Sequence, residues 1–184
     1  MKKNFIRINS GIFKNRKITF KKKNKIRPTT SFNRITLFNW LKPYIKNSLC
    51  LDCFSGTGSL GVESISNLAK FVTILEKKKK IIKIIKKNIK KLQIKNIKII
   101  KTNAIQWLNK KGIPYDIIFL DPPYYNSILQ KTIFMIEKNN WIKFNSIIYI
   151  EKAKNHKNLI IPKNWLLYKK KKLKKIIFYL YFCK

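Results

Sequence analysis

The segment Asp121-Pro122-Pro123-Tyr124 carries the most specific chemical signal in the sequence. It follows an apolar run at residues 117–120, and two successive prolines would end a central strand and hold the backbone extended at the sheet edge. An exocyclic amine of a nucleic-acid base is a poor nucleophile until acceptors bind its protons. Asp121 and the carbonyl of Pro122 can be those acceptors, and Tyr124 can stack on a base removed from its helix. We therefore predict that these four residues form a catalytic segment.

A glycine-rich loop lies upstream, where Gly56, Gly58 and Gly61 form the pattern G-x-G-x-x-G after an apolar run. Such a loop lets the backbone approach a ligand, and it suits either a dinucleotide pyrophosphate or the methionine part of S-adenosylmethionine. A plain glycine-rich turn is the remaining alternative. Asp52 favours the second ligand, because a carboxylate there would repel a pyrophosphate and could bind an ammonium group. We predict cofactor contacts from Asp52, Phe54, Gly56 and Gly58.

Three further residues extend the predicted cofactor site. Glu76 ends the next apolar run, at the spacing where a carboxylate accepts hydrogen bonds from a ribose diol. It could equally be a solvated acid at a helix start, because acids are favourable in a first helical turn. Asn103 and Ala104 could contact an adenine edge, although Asn103 could equally cap a helix. These residues favour a ligand that contains adenosine.

The combined pattern predicts methyl transfer from S-adenosylmethionine to a base amine, with positioning and desolvation doing most of the catalysis. We expect no metal cofactor. Cys50 and Cys53 have C-x-x-C spacing, but a structural zinc needs four ligands, and Cys183 and His156 are remote in the sequence. Successive strand residues also point to opposite faces, so we predict two unpaired core thiols.

The elements that must position these residues alternate between short apolar runs and helical patterns from residue 48 onward. The helical spacing is clearest in residues 81–92, whose opposite face is lysine. Strand-helix repetition predicts an α/β fold with a parallel sheet covered on both faces. Residues 165–168 and 176–182 flank a lysine run and predict an antiparallel hairpin at the sheet edge. The predicted strands are residues 48–54, 71–76, 97–101, 115–121 and 146–151.

The N-terminal region reads as a basic hairpin and linker, followed by a helix. Residues 4–20 alternate around Ser10-Gly11, which predicts two paired strands. We divide the chain into an RNA-binding appendage at residues 1–25 and a catalytic domain at residues 26–184. Hydroxyl residues 29–31 offer an N-cap for a helix that Pro43 ends or kinks. The candidate RNA contacts are Arg7, Lys14, Arg16, Lys17, Arg27 and Arg34.

The charge of the chain points to a polyanionic partner. There are 43 lysines and arginines against seven acids, a formal net charge of +36, although A/T-rich codons account for part of this bias. The longest apolar run, residues 176–183, is far shorter than the ~20 residues that span a bilayer. The N-terminus lacks the pattern of a signal peptide. We expect a cytoplasmic protein that binds no membrane.

The same residues resemble the bacterial 16S ribosomal RNA guanine-N2 methyltransferases. The resemblance covers nearly the whole chain, including the basic hairpin and the cofactor and catalytic segments. It implies a class I methyltransferase fold, Rossmann-like, with a seven-stranded, mostly parallel sheet. The motifs that carry it are Arg27-Pro28-Thr29-Thr30, Leu37-Phe38-Asn39-Trp40-Leu41, residues 51–61, residues 121–124 and Tyr149-Ile150-Glu151.

The resemblance also implies a substrate. The donor is S-adenosylmethionine, the product is S-adenosylhomocysteine, and the acceptor is the N2 amine of a specific guanine, nucleotide 966 of 16S ribosomal RNA, within the small subunit or its assembly intermediate. Residues 121–124 would hold the guanine, and the hairpin would meet RNA. One segment departs from the family, because Ser31-Phe32 and Arg34-Ile35 stand where Asp-Arg and Arg-Glu are usual. Only Arg34 of those charges is kept.

Two other functions remain open. A DNA adenine-N6 methyltransferase shares the glycine loop and the Asp-Pro-Pro-Tyr segment, but it normally needs a target-recognition region for which 184 residues leave little space. A non-catalytic RNA-binding assembly protein could keep the fold without turnover; the intact Asp121 and glycine loop argue against it. We expect the protein to act as a monomer.

Overall fold

The chain forms a two-stranded hairpin and a seven-stranded sheet flanked by five helices in the computed structural model, which describes residues 4–20, 30–122, 126–156 and 158–184. The strands are β1 (Asn4–Arg7), β2 (Lys17–Phe20), β3 (Leu49–Asp52), β4 (Phe71–Glu76), β5 (Ile97–Lys101), β6 (Ile117–Leu120), β7 (Ile147–Ala153), β8 (Trp165–Lys172) and β9 (Ile176–Cys183). The helices are α1 (Ser31–Leu41), α2 (Ser59–Ser66), α3 (Lys79–Lys91), α4 (Ala104–Leu108) and α5 (Asn126–Lys138).

The large sheet has the strand order β5-β4-β3-β6-β7-β9-β8. Strands β3 to β7 are parallel, whereas β9 pairs antiparallel with both β7 and β8. The order reverses at β3, which has β4 on one side and β6 on the other. Crossover connections diverge at such a switch point and leave a crevice at the carboxyl ends of the strands. The predicted mostly parallel sheet with a C-terminal hairpin is confirmed.

Hydrophobic side chains fill both faces of this sheet. Residues of α1, α2, α3 and the hairpin pack on one face, and residues of α4 and α5 pack on the other. The four side chains of β6 are all buried, as expected for a central parallel strand. Cys50 belongs to the first cluster and Cys53 to the second. Both cysteines are free and buried, so the prediction of two unpaired core thiols is confirmed.

Helix α1 begins where the hydroxyl pattern predicted. The side chain of Thr30 accepts a hydrogen bond from the backbone N–H of Asn33, which satisfies one of the unpaired donors of the first turn. The helix ends at Leu41, two residues before Pro43. Leu37, Phe38 and Leu41 are buried on its inner face, so the spacing that predicted the helix also forms its core contact.

The N-terminal hairpin is confirmed, and it packs firmly on the large domain. Ile6, Ile8 and Ile18 enter the same hydrophobic cluster as α1 and α2. Gly11 adopts a φ of 78°, and a Cβ atom there would lie 1.8 Å from the carbonyl oxygen of Ser66 in α2. This close approach and the left-handed backbone both require glycine. The predicted division at residue 25 falls outside the described residues.

The sequence pattern predicted that the lysine run at residues 169–172 lies between two strands. Residues 169–172 belong to β8 itself, which continues to Lys172 as the outer strand of the sheet. A lysine-rich outer strand discourages pairing with another sheet edge, because a strand added there would bring its own side chains against the lysine charges. In the part of the chain that the structure describes, no helix has both the length and the apolar character needed to cross a membrane.

Candidate active site

A cavity of about 990 Å³ lies at the carboxyl ends of the parallel strands. It is lined by residues that follow β3, β4, β5 and β6, together with the start of α1 and the turn between β8 and β9. This is the edge of the sheet at which the sequence pattern placed the site. Seven of the predicted residues line it: Phe54, Gly56, Glu76, Asn103, Ala104, Asp121 and Pro122.

The three glycines of the loop have different structural roles. Gly56 has a φ of 51° and lines the cavity. Gly58, with a φ of 75°, precedes the first residue of α2, and a Cβ atom there would lie 3.1 Å from the side chain of Ile85. Gly58 therefore shapes the turn that opens α2, and its predicted contact with the cofactor stays a prediction. Gly61 lets α2 pack closely on Ile74 of β4.

Asp52 is a buried carboxylate directly behind the cavity wall. It is only 1% exposed, it immediately precedes Cys53, which lines the cavity, and its Oδ2 atom has no hydrogen-bond partner. Burial and, after it, the nearby charge of Asp121 raise the pKa of Asp52 to about 7, against the opposing effect of backbone hydrogen bonds. Such a group gains free energy from a cationic ligand, because the ligand restores the ionised form.

Glu76 and Asn103 each line the cavity and also bind a backbone N–H at the start of a helix. Glu76 lines the cavity at the end of β4, and its Oε1 atom accepts a hydrogen bond of 2.7 Å from the backbone N–H of Lys78. Burial raises its pKa. Asn103 caps α4, because its Oδ1 atom accepts from the backbone N–H of Ile105 at 2.9 Å. The cap orients the Asn103-Ala104 backbone at the cavity wall.

Asp121 and Pro122 lie half-buried where β6 ends, and both line the cavity. The next strand brings Glu151 to the same level, since Leu120 pairs with Ile150. Glu151 also lines the cavity, and it accepts a hydrogen bond of 2.9 Å from the hydroxyl of Tyr149. The carboxyl edge of the sheet therefore holds four acidic residues. Pro123 and Tyr124 lie outside the described residues.

Two of the buried polar atoms at the cavity belong to residues that were not predicted from the sequence. The side-chain oxygens of Asn33 and Ser55 are buried and have no hydrogen-bond partner. Both residues line the cavity, so a bound polar group could satisfy these atoms. Ser55 could have been found from its place inside the glycine loop. Asn33 has no such signal, because an asparagine within an amphipathic helix usually faces solvent.

The predicted RNA contacts separate into exposed and buried side chains. Arg7, Lys14, Arg16 and Lys17 are exposed on the hairpin, whereas Arg27 lies outside the described residues. Arg34 is 2% exposed, and its Nε atom lies 3.1 Å from a carboxylate oxygen of Glu63. Its guanidinium also donates to the backbone carbonyl of Arg7. This corrects the expectation for Arg34, because a buried and paired guanidinium anchors the hairpin and does not reach RNA at the surface.

The described ranges contain no group of three or more histidine, cysteine, aspartate or glutamate side chains that could hold a metal ion. Carboxylate, amide and hydroxyl side chains and the glycine loop line the cavity, and lysines lie on its wall as well. The carboxylates suit a ligand with a positive charge and a ribose diol, and the amide and backbone groups suit the edge of an adenine ring. The residues present therefore fit S-adenosylmethionine.

Comparisons with known proteins show the family. The family model described as "Conserved hypothetical protein 95" matches residues 6–182. Ribosomal RNA small subunit methyltransferase D of Buchnera aphidicola from Acyrthosiphon pisum is 55% identical, over 97% of this chain and 93% of the relative. The protein of the same name from Escherichia coli K12 is 36% identical, over 96% of this chain and 89% of the relative.

Solved structures agree with these relatives. The Escherichia coli protein yhhF has a TM-score of 0.91 at 34% identity, and the match covers 98% of this chain and 99% of that one. The Haemophilus influenzae protein HI0767 has a TM-score of 0.85 at 37% identity, with the same coverage. Near-complete coverage in both directions leaves no large region of either fold unmatched. The chain belongs to the ribosomal RNA small subunit methyltransferase D family.

Proposed function

We propose that this protein transfers a methyl group from S-adenosylmethionine to the exocyclic N2 amine of a guanine in 16S ribosomal RNA, at nucleotide 966. The observation that carries the proposal is the placement of Asp121 and Pro122 in one cavity with the glycine loop. Hydrogen-bond acceptors for an amine and a cofactor-binding loop at one edge of the sheet suit methyl transfer to nitrogen. The names of the relatives support ribosomal RNA as the substrate.

The chain's own residues would hold the cofactor at the β3 and β4 side of the cavity. Asp52 would bind its ammonium group, directly or through water, and Glu76 would accept hydrogen bonds from its ribose diol. Asn103 and Ala104 would contact the adenine edge. When bound, S-adenosylmethionine supplies a methyl group made electrophilic by its sulfonium sulfur. The acidic edge of the sheet favours this positive charge, since opposite charges attract strongly where water is excluded.

The other half of the site would prepare the amine. The carboxylate of Asp121 and the carbonyl of Pro122 would accept the two N–H bonds of the guanine amine, which localises the nitrogen lone pair. Pro123 would keep this segment extended, and Tyr124 would stack on the flipped base. Holding the amine in line with the methyl group replaces a bimolecular encounter by a fixed geometry, which is the main source of rate enhancement here.

The substrate and setting follow from the same proposal. The exposed hairpin residues Arg7, Lys14, Arg16 and Lys17 would bind RNA phosphates, and residues 1–25 would serve as the RNA-binding appendage of a catalytic domain at residues 26–184. The enzyme would act as a monomer, in the cytoplasm, on the small subunit or an intermediate in its assembly. Sedimentation of the purified protein, alone and with such particles, tests the monomeric state and the binding to the small subunit.

The decisive experiment is tritiated methyl transfer to unmodified small-subunit particles and to naked 16S RNA, with the product nucleoside identified by mass spectrometry. N2-methylguanosine at nucleotide 966 is the expected product. The same assay is run on unmethylated DNA, where N6-methyladenine would establish the alternative enzyme. Cofactor binding without any product would favour a non-catalytic assembly protein.

A further inference from the structure

A second surface of the molecule combines exposed aromatic rings with lysines. It is formed where α1 and the turn after it lie beside the outer strand β8, on one face of the sheet. Tyr44 is 36% exposed, Tyr168 is 41% exposed and Phe32 is 55% exposed. We define the edge surface as Phe32, Ile35, Tyr44, Leu166, Tyr168, Lys169 and Lys171.

The rings of the edge surface are held in place by their neighbours. The ring centroid of Tyr168 lies 4.9 Å from that of Phe182, and the centroid of Tyr44 lies 5.2 Å from it. Phe182 is itself packed against the core cluster of α1 and α2. The two tyrosines are therefore fixed on one side and open to solvent on the other. Rigid, half-exposed rings bind planar partners with little loss of conformational entropy.

Lysines accompany these rings without acidic neighbours. The Nζ atom of Lys169 lies 4.8 Å from the ring centroid of Tyr168, and that of Lys171 lies 4.3 Å from the ring centroid of Phe32. All seven acidic residues of the chain lie in the part that the structure describes, and none belongs to the edge surface. Four are at the carboxyl edge of the large sheet, and the others are Glu63, Asp116 and Glu137.

The edge surface is continuous with the candidate active site. Phe32 belongs to both, because it also lines the cavity. Lys174 and Lys175, in the turn between β8 and β9, line the same side of the cavity. A base that enters the cavity stays joined to its neighbours by the RNA backbone, so the flanking nucleotides must cross the rim. From Phe32 at the rim, the surface continues to Lys171, whose ammonium group lies over the Phe32 ring, and along β8 to Tyr168, which contacts Tyr44.

We propose that the edge surface binds the single-stranded nucleotides next to the target base, with bases stacked on Tyr44 and Tyr168 and phosphates bound by Lys169 and Lys171. Rings flanked by cations are the usual platform for unpaired nucleic acid. A protein partner would need acidic groups for the lysines and would leave the ring faces without planar partners. The proposal rests on the proposed function only in that the RNA enters the same cavity.

The test compares the double variant Tyr44→Ala/Tyr168→Ala with Leu167→Ala. Leu167 is 52% exposed on the same strand, but its partner in the register is Tyr181, whose side chain packs in the cluster on the other face. We expect the double variant to raise the Kd and the KM for RNA at least tenfold, since each lost stack weakens binding about fivefold or more. The kcat at saturating RNA and the Kd of S-adenosylmethionine should stay as in the wild type. Leu167→Ala should change none of these quantities.

Salt dependence separates the two kinds of contact. Lys169→Ala/Lys171→Ala should lower the slope of log Kd against log salt by about 1.4, that is about 0.7 for each lost phosphate contact on a single strand, whereas the tyrosine variant should leave the slope unchanged. If the tyrosine variant does not fold, Tyr168→p-benzoylphenylalanine replaces it. Light should crosslink that variant to RNA, and the same group at Leu167 should give no crosslink.

Equal KM values for the tyrosine variant and Leu167→Ala would overturn the inference. So would crosslinking of position 168 to a ribosomal protein in place of RNA. Failure of the proposed function looks different: the wild-type protein would then bind RNA through position 168 but transfer no methyl group to it, which leaves this surface supported.

Discussion

The carboxyl edge of the large sheet and the rest of the molecule use acidic residues in different ways. Away from that edge, each carboxylate is paired in the fold. Glu63 binds Arg34, Asp116 lies 2.7 Å from Lys143, and Glu137 accepts from the indole N–H of Trp165 at 2.7 Å. The carboxyl edge differs in that four acidic residues line or adjoin one cavity, and the charges of two of them raise the pKa of Asp52. These four residues are Asp52, Glu76, Asp121 and Glu151.

The contrast indicates different roles for the acidic residues at the carboxyl edge and for those elsewhere. The structural carboxylates away from that edge have partners in the fold: Glu63 and Asp116 each lie beside a cation, and Glu137 accepts hydrogen bonds from neutral side chains. Crowding carboxylates in a partly buried cavity is unfavourable for the unliganded protein, because burial and mutual repulsion both oppose ionisation. Asp52 shows this cost in its raised pKa of about 7. The carboxyl-edge group is therefore suited to a cationic ligand, while the other three hold the fold together.

The largest effect is expected from removing the carboxylate of Asp121 from the carboxyl-edge group. Asp121→Ala should lower kcat for methyl transfer by about 10²–10⁴-fold, the range found for a positioned acid or base, because the amine loses its main acceptor. The Kd of S-adenosylmethionine should change little. Tritiated methyl transfer and titration calorimetry measure the two effects. Asp116→Asn, at the other end of the same strand, is the control and should keep kcat; an active Asp121→Ala protein would disprove the assignment.

The next effect concerns a structural carboxylate. Arg34→Met should lower the free energy of unfolding by about 3–5 kcal/mol, because Glu63 would be left buried and without its cation. Urea denaturation measures this loss. The double variant Arg34→Met/Glu63→Gln should be more stable than Arg34→Met, since the uncompensated charge is removed. A loss below 1 kcal/mol would mean that the pair is not buried in solution.

The unliganded protein should become less stable as the pH rises from 5 to 8. The pKa values of Asp52 and Glu76 are raised in the folded state, so the native protein retains protons that the unfolded chain releases between about pH 4 and pH 7. Stability is then greatest on the acidic side of this window and is lost through it, by about 2 kcal/mol. Urea denaturation at several pH values measures the slope. Asp52→Asn should flatten it, and an unchanged slope would contradict the raised pKa.

The smallest effect is on cofactor affinity. If ionised Asp52 binds the ammonium group, the affinity for S-adenosylmethionine should rise up to about tenfold between pH 6 and pH 8, as a group with a pKa near 7 ionises. Titration calorimetry across this range measures it. Asp52→Asn should bind more weakly and with little dependence on pH. A wild-type affinity that does not vary with pH would place the ammonium group elsewhere.

Much of the fold was predictable because the sheet is buried on both faces. Parallel strands covered by helices read as continuous apolar runs, and the run at residues 71–76 matches β4 residue for residue. The predicted strand at residues 97–101 also matches β5, although β5 is an outer strand whose side chains are half-buried or exposed. Strand β3 is shorter than its predicted run of 48–54. Apolar or small residues continue past Asp52 into the glycine loop, and hydrophobicity alone does not mark where pairing stops.

In the candidate site, too, some residues could be predicted from the sequence and others could not. The positions of Asp52, Glu76 and Asp121 followed from the sequence, because each acid ends an apolar run and parallel strands place their carboxyl ends together. Asn33 and Arg34 did not follow, because they are neighbours on a helix whose partners lie far along the chain. Arg34 meets Glu63, 29 residues away, and Asn33 meets the cavity.

The sequence by itself therefore determined the order of the elements, the sheet edge of the site and the chemical types gathered there, since these depend on local periodicity and on strand direction. Only the tertiary structure decided which charges are buried, which glycine faces the cavity and which rings of α1 and β8 form one surface. Those properties depend on distances between residues remote in the chain, and no local pattern in the sequence encodes such distances.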